Sequence, residues 1–96
     1  MNLDLNYEGY EEFLVERYPD MDGVHYVFRF ANDYGASVIK FTGSYGYRKD
    51  QWELGVIIFD EDGHYGLTYD TPVTDDVLGY LTDEVVRNLL EEIKEL

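Results

Sequence analysis

Large apolar residues stand at every second position from Val24, with Val24, Tyr26, Phe28 and Phe30 separated by His25, Val27, Arg29 and Ala31. Side chains on a strand point alternately to the two faces, so a period of two predicts a strand with one face in a core, and a helix would scatter the same residues around its circumference. Asn32-Asp33-Tyr34-Gly35 supplies turn residues before a second run, Ala36 to Thr42, and the two runs read as a hairpin. In the third run, Gln51 to Phe59, the residues Trp52, Leu54, Val56 and Ile58 share one face. Asp60-Glu61-Asp62-Gly63 makes the next turn, and Tyr65 to Tyr69 a fourth strand. Such short connections predict an antiparallel meander and leave no room for a parallel crossover.

On both sides of this stretch the period lengthens. Tyr10, Phe13, Leu14 and Tyr18 recur at i, i+3, i+4 and i+8, with Asn6 placed as a cap, which predicts a helix over 7–18 ended by Pro19. Thr74 before Asp75 and Asp76 predicts a short helix to Tyr80, since a capping hydroxyl and first-turn acids both favour a helix start. Thr82, Asp83 and Glu84 repeat that signal ahead of a stripe formed by Val86, Leu89, Leu90, Ile93 and Leu96. The expected fold is therefore a two-layer α+β domain, a four-stranded antiparallel meander with an N-terminal helix and C-terminal helices on one side. Its 96 residues allow one domain, 1–96. With 45% hydrophobic and 17% aromatic residues the chain can fill a core, unlike a disordered acidic tail.

Charge narrows the function. Twenty-one Asp and Glu against seven Lys and Arg give a net charge of −14. Residues 1–22 carry a net −6 and residues 60–96 a net −9, whereas residues 23–59 carry +1. Such a field repels nucleic acid and anionic membranes and attracts basic surfaces. No cysteine is present, which excludes disulfides and thiolate metal sites and fits a reducing compartment. The N-terminus has neither the basic nor the apolar region of a signal peptide, and no apolar run approaches the ~20 residues of a membrane span, so a cytoplasmic location is expected.

No catalytic signature emerges. Asp60-Glu61-Asp62-Gly63-His64 clusters hard ligands, yet an EF-hand numbered from Asp60 would put Tyr65 and Thr71 where Gly and Glu are needed. It reads as an acidic hairpin turn, and neither His25 nor His64 has a zinc spacing. A Ser-His-Asp set could be drawn from Ser37 or Ser44, but no GxSxG elbow presents the serine. No enzyme, cofactor or metal is expected. The loop Gly43 to Asp50 gathers Tyr45, Tyr47, Arg48 and Lys49, residue types that commonly anchor interfaces.

The acids have useful spacing. Helical residues three or four apart lie about 5–6 Å apart at Cβ, close to the repeat of phosphates along a nucleic-acid strand. Glu8, Glu11, Glu12 and Glu16 on the first helix, and Glu84, Glu91 and Glu95 on the last, could thus enter a basic nucleic-acid groove, with Tyr45 and Tyr47 as further partner-binding residues.

Tyr34-Gly35-Ala36-Ser37-Val38, Gly43-Ser44-Tyr45-Gly46, Trp52-Glu53-Leu54, Tyr69-Asp70-Thr71-Pro72-Val73-Thr74-Asp75-Asp76-Val77 and Gly79-Tyr80-Leu81-Thr82 resemble blocks of a family of small phage and prophage proteins, over roughly residues 26–96. The chain departs from that pattern at Tyr47-Arg48-Lys49-Asp50. The resemblance implies work inside an infected bacterium, where small acidic phage proteins, anti-CRISPR and anti-restriction proteins among them, block enzymes that bind nucleic acid. The expected function is inhibition of a nucleic-acid-binding bacterial protein by nucleic-acid mimicry. A structural or assembly accessory is the alternative, followed by a small-ligand binder or enzyme.

Overall fold

A computed structural model describes all residues, Met1 to Leu96. One antiparallel sheet of six strands is covered on one face by a single helix. The strands are β1 (Leu14–Asp20), β2 (Gly23–Arg29), β3 (Tyr34–Lys40), β4 (Trp52–Phe59), β5 (Tyr65–Leu67) and β6 (Leu78–Leu81), and the helix α1 is Asp83–Lys94. The order is β1-β2-β3-β4-β5, and β4 has two partners on its outer edge. Its first half pairs with β6 through Trp52 and Leu81, its second half with β5 through Ile57 and Leu67.

The period-two pattern decides which face is buried. Val24, Tyr26 and Phe28 of β2, Ala36 and Val38 of β3, and Trp52, Leu54 and Val56 of β4 point into one core with Val86, Leu89, Leu90 and Ile93 of α1. Each large apolar side chain so buried contributes about 1.5–3 kcal/mol. The helix begins where the sequence predicts: the Thr82 hydroxyl accepts a hydrogen bond from the Val85 amide at 3.3 Å. Leu3, Leu5, Tyr7, Tyr10 and Phe13 extend the same core, so the N-terminal segment lies in the helical layer.

Two expected helices are absent. Residues 7–18 form a turn at Gly9, a short 3-10 segment Glu11–Phe13 and then β1. Asn6 does cap, but locally: its Oδ1 accepts from the Glu8 amide at 3.1 Å, closing a turn in place of a helix start. Pro19 lies within an edge strand, a place in a sheet where a residue without an N–H is tolerated. The second miss has the same origin. Thr74 Oγ1 accepts from the Asp76 amide at 2.9 Å and donates to the Asp76 carbonyl, a self-contained turn that leads into β6 and not into a helix. The sheet thus has six strands in place of four, β1 to β5 in meander order and β6 beside β4, and the α-helices number one in place of three.

Lys40 is the unexpected occupant of the core side, with only 2% of its side chain exposed. Its ammonium donates to the Asn2 carbonyl at 2.7 Å and to the Asp50 carbonyl and Oδ1 at 3.0 and 2.8 Å, and it lies 4.0 Å from the centre of the Trp52 ring. All three protons are satisfied, which is what a buried cation requires. The hydrogen bond from Lys40 holds the Asp50 carboxyl below its ordinary value.

Candidate functional site

The N-terminal segment and α1 run side by side. Tyr10 donates its hydroxyl to Glu91 Oε1 at 2.8 Å, and Arg87 Nη1 donates to the Asn6 carbonyl at 2.9 Å. Burial first, and then the Glu91 hydrogen bond, raise the Tyr10 pKa, while that same bond lowers Glu91. These contacts join two acidic segments that are far apart in sequence. Glu8, Glu11 and Glu12 from one, and Glu84, Glu91, Glu92 and Glu95 from the other, are all exposed in this layer. Glu91, Glu92 and Glu95 stand at the C-terminal end of α1, where the helix dipole disfavours acids; Glu91 is offset by Tyr10 and Lys94, while Glu92 and Glu95 are exposed.

Glu16 is not with them. It pairs with Val27, on the sheet face opposite α1, and its charge is felt by Tyr18. The seven glutamates singled out from the sequence therefore divide, six in the helical layer and Glu16 behind the sheet; Glu8, Glu11 and Glu12 are there as parts of a turn and a 3-10 segment, not of a helix face.

The loop after β3 stands apart from both faces. Tyr45 is 57% exposed and its amide donates to Glu53 Oε1 at 2.8 Å, while Tyr47 is half-buried at the start of a 3-10 turn. Tyr80 joins them, 59% exposed, donating its amide to the Tyr45 carbonyl at 3.2 Å. Its φ of 59° is left-handed, a conformation that costs an aromatic residue roughly 1–3 kcal/mol. Residues 42–48 and Tyr80 line a cavity of about 460 Å³. Arg48 and Lys49 remain exposed, whereas Lys40 is spent inside the core, so the loop's positive cluster is smaller than the sequence suggests. A groove lined by Asn2, Lys49, Asp50, Asp83 and Glu84 connects this loop to the start of α1.

In the turn between β4 and β5, the donor atoms of Asp60, Asp62 and His64 lie within 4.8 Å of one another, all three side chains exposed. Asp60 Oδ1 already accepts the amides of Asp62 and His64 at 2.9 and 3.0 Å, the bonding of a hairpin turn.

The uncovered sheet face holds what sequence reasoning passed over. Adjacent strands bring Tyr18 and Asp20 of β1, His25 of β2 and Ser37 of β3 together. His25 Nε2 is 2.7 Å from Ser37 Oγ, and its Nδ1 is 2.7 Å from the Tyr18 hydroxyl and 3.3 Å from Asp20 Oδ2. Beside them is a cavity of about 290 Å³, walled by Ile39, Phe41, Ile57, Leu67 and Val77. The sequence offered Ser37 and a histidine as a possible set but no register that joined them, since the expected turn 32–35 would place His25 opposite Thr42 and the observed ladder pairs it with Ile39; reading 7–18 as a helix removed Tyr18 and Asp20 from view.

Burial, followed by the neighbouring Tyr65, pushes the Tyr18 pKa from 10.0 up to about 12. Ultraviolet titration should therefore show the last tyrosine ionising near pH 12, and Tyr18→Phe should remove that step. Because the folded state holds this proton more tightly, the associated stability is intact below pH 10 and is lost as pH rises through about 12. A titration in which every tyrosine ionises near pH 10 would contradict the packing of Tyr18.

No helix is long and apolar enough to cross a membrane. No protein-family model, curated protein or solved structure matches the chain.

Proposed function

We propose that this protein binds the basic, nucleic-acid-binding surface of another protein and competes with the nucleic acid there. The supporting observation is the acidic layer, where residues from both ends of the chain converge and three glutamates occupy the unfavourable end of α1. Glu91 is held there by Tyr10 and Lys94, whereas Glu92 and Glu95 face solvent at an end where the dipole disfavours acids, which favours a role outside the fold for these two. The net charge of −14 supplies long-range attraction to a basic groove, and Tyr45 and Tyr80 offer exposed aromatic anchors on the loop after β3. The resemblance to phage proteins directs the reading to a bacterial target, met in the host cytoplasm, and to inhibition of a host or defence enzyme.

Affinity capture from a bacterial lysate at low and high salt, followed by competition with DNA or RNA, tests this reading. Replacing Glu8, Glu11 and Glu12, or Glu84, Glu91 and Glu95, by Gln should slow association roughly tenfold at low salt, because complementary charge acts largely on the encounter rate. Glu16→Gln should leave the rate unchanged, since Glu16 lies behind the sheet. A partner held equally well in high salt, and together with its nucleic acid, would overturn mimicry in favour of an assembly accessory.

A further inference from the structure

We propose that Ser37 is an activated nucleophile that serves the cavity on the uncovered sheet face and reacts with small, neutral, apolar esters. A carboxylate can only accept hydrogen bonds, so the approach of Asp20 to His25 Nδ1 favours the proton on that nitrogen. The Tyr18 hydroxyl, un-ionised well beyond neutral pH, can accept from the same N–H through its lone pairs. With Nδ1 protonated, Nε2 carries the lone pair and takes the hydroxyl proton of Ser37 across 2.7 Å. This is the arrangement by which an imidazole activates a serine, with a carboxylate fixing its tautomer.

Access follows from the register. Ser37 lies directly opposite Gly55, where the room left by the missing side chain is taken by Leu67, and Gly66 leaves the open gap in the cavity lining. Leu67 closes over Gly55 so tightly that a methyl there would meet its Cδ2 at 2.5 Å, giving the cavity an apolar wall. A volume of about 290 Å³ is at the small end of ligand sites, enough for a short acyl chain and a phenol. Asp20 and Glu53 line the cavity, and the whole chain is strongly negative, so esters bearing carboxylate or phosphate are repelled.

In the reaction, Ser37 Oγ bonds to the ester carbonyl carbon, the bond to the leaving oxygen breaks, and the serine proton passes through His25 to that oxygen. Water then bonds to the acyl carbon, the bond to Oγ breaks, and a proton returns to Ser37, so ester and water become acid and alcohol. Ser37 sits in mid-strand with ladder partners on both sides, so its own amide belongs to the sheet and the developing oxyanion gains little from it. Acylation by activated esters is therefore the step to observe.

The test uses p-nitrophenyl butyrate and an alkyl fluorophosphonate on the full chain. We expect about one equivalent of nitrophenolate in a burst, one fluorophosphonate adduct by intact mass, and peptide mapping that places it on Ser37. Ser37→Ala should abolish both, His25→Gln should slow both about a hundredfold, and Ser44→Ala should change neither. Mapping on the unaltered protein identifies the residue even where a variant fails to fold. An adduct on another residue, no adduct, or equal reaction by folded His25→Gln would overturn the proposal.

Discussion

Trp52→Ala should lower the unfolding free energy by about 3–5 kcal/mol, the range for removing a buried aromatic side chain. Trp52 is 1% exposed and is held on three sides. Its indole Nε1 donates to Asp83 Oδ1 at 2.7 Å, at the first residue of α1; its edge meets the Tyr26 ring at 5.7 Å and 81°; its face carries the Lys40 ammonium. Deleting the ring opens a cavity, frees the start of α1 and strips a buried cation of its aromatic partner. The loss is about a fifth to all of a domain's stability, since total unfolding free energies are about 5–15 kcal/mol. Trp52→Phe keeps most of the volume and the ring face and loses the indole bond, so about 1–2 kcal/mol should go with it. Chemical denaturation of both variants is the measurement. A loss below 1 kcal/mol for Trp52→Ala would mean that Trp52 does not organise the core.

The second large effect is expected at Gly35, in β3. A methyl group there would sit 1.9 Å from the Phe28 carbonyl oxygen and 3.0 Å from Phe59 Cε1. The obstacle is backbone of the neighbouring strand, beneath a Phe28 that is wholly buried, so relief requires the β2–β3 ladder to separate. Gly35→Ala should cost about 3 kcal/mol or more, beyond ordinary overpacking. Gly66→Ala meets nothing within 4 Å and should change stability by less than about 0.5 kcal/mol. Thermal melts of the two variants side by side separate a steric cause from a general effect of replacing glycine in a strand; equal shifts would refute the close approach at Gly35.

What the sequence disclosed depended on how strongly each segment's own pattern outweighed its surroundings. The strands from Val24 to Phe59 were legible because a period of two is compatible with little else, and α1 because a cap, first-turn acids and a five-residue stripe agree. Residues 10–14 carry a helical spacing too, but Tyr10 and Phe13 pack against the core from a 3-10 turn, and the open edge of β2 offers residues 14–20 a ladder broken only by a bulge between Leu14 and Glu16. Asn6 and Thr74 misled for a related reason. Their side chains bond the amide two residues on, which serves a tight turn as readily as a helix start. The site was legible as charge and not as arrangement. Exposure of Glu8, Glu11, Glu12, Glu84, Glu91 and Glu95 follows from their chemistry, while their union into one layer depends on Tyr10 and Arg87 reaching across more than eighty residues of chain.

The cage around Lys40 has a consequence for how the molecule comes together. Its acceptors come from Asn2 and Asp50, on opposite flanks of the residue in sequence, and from a tryptophan ring further on. Until these are in place the ammonium keeps its water, and once they are, losing one leaves a buried cation short of an acceptor. Chain ends usually fray independently of the body they belong to. Here the first residues are tied to the end of β3 and the loop before β4 through one ammonium, so that fraying at Asn2 costs Lys40 one of its three hydrogen bonds.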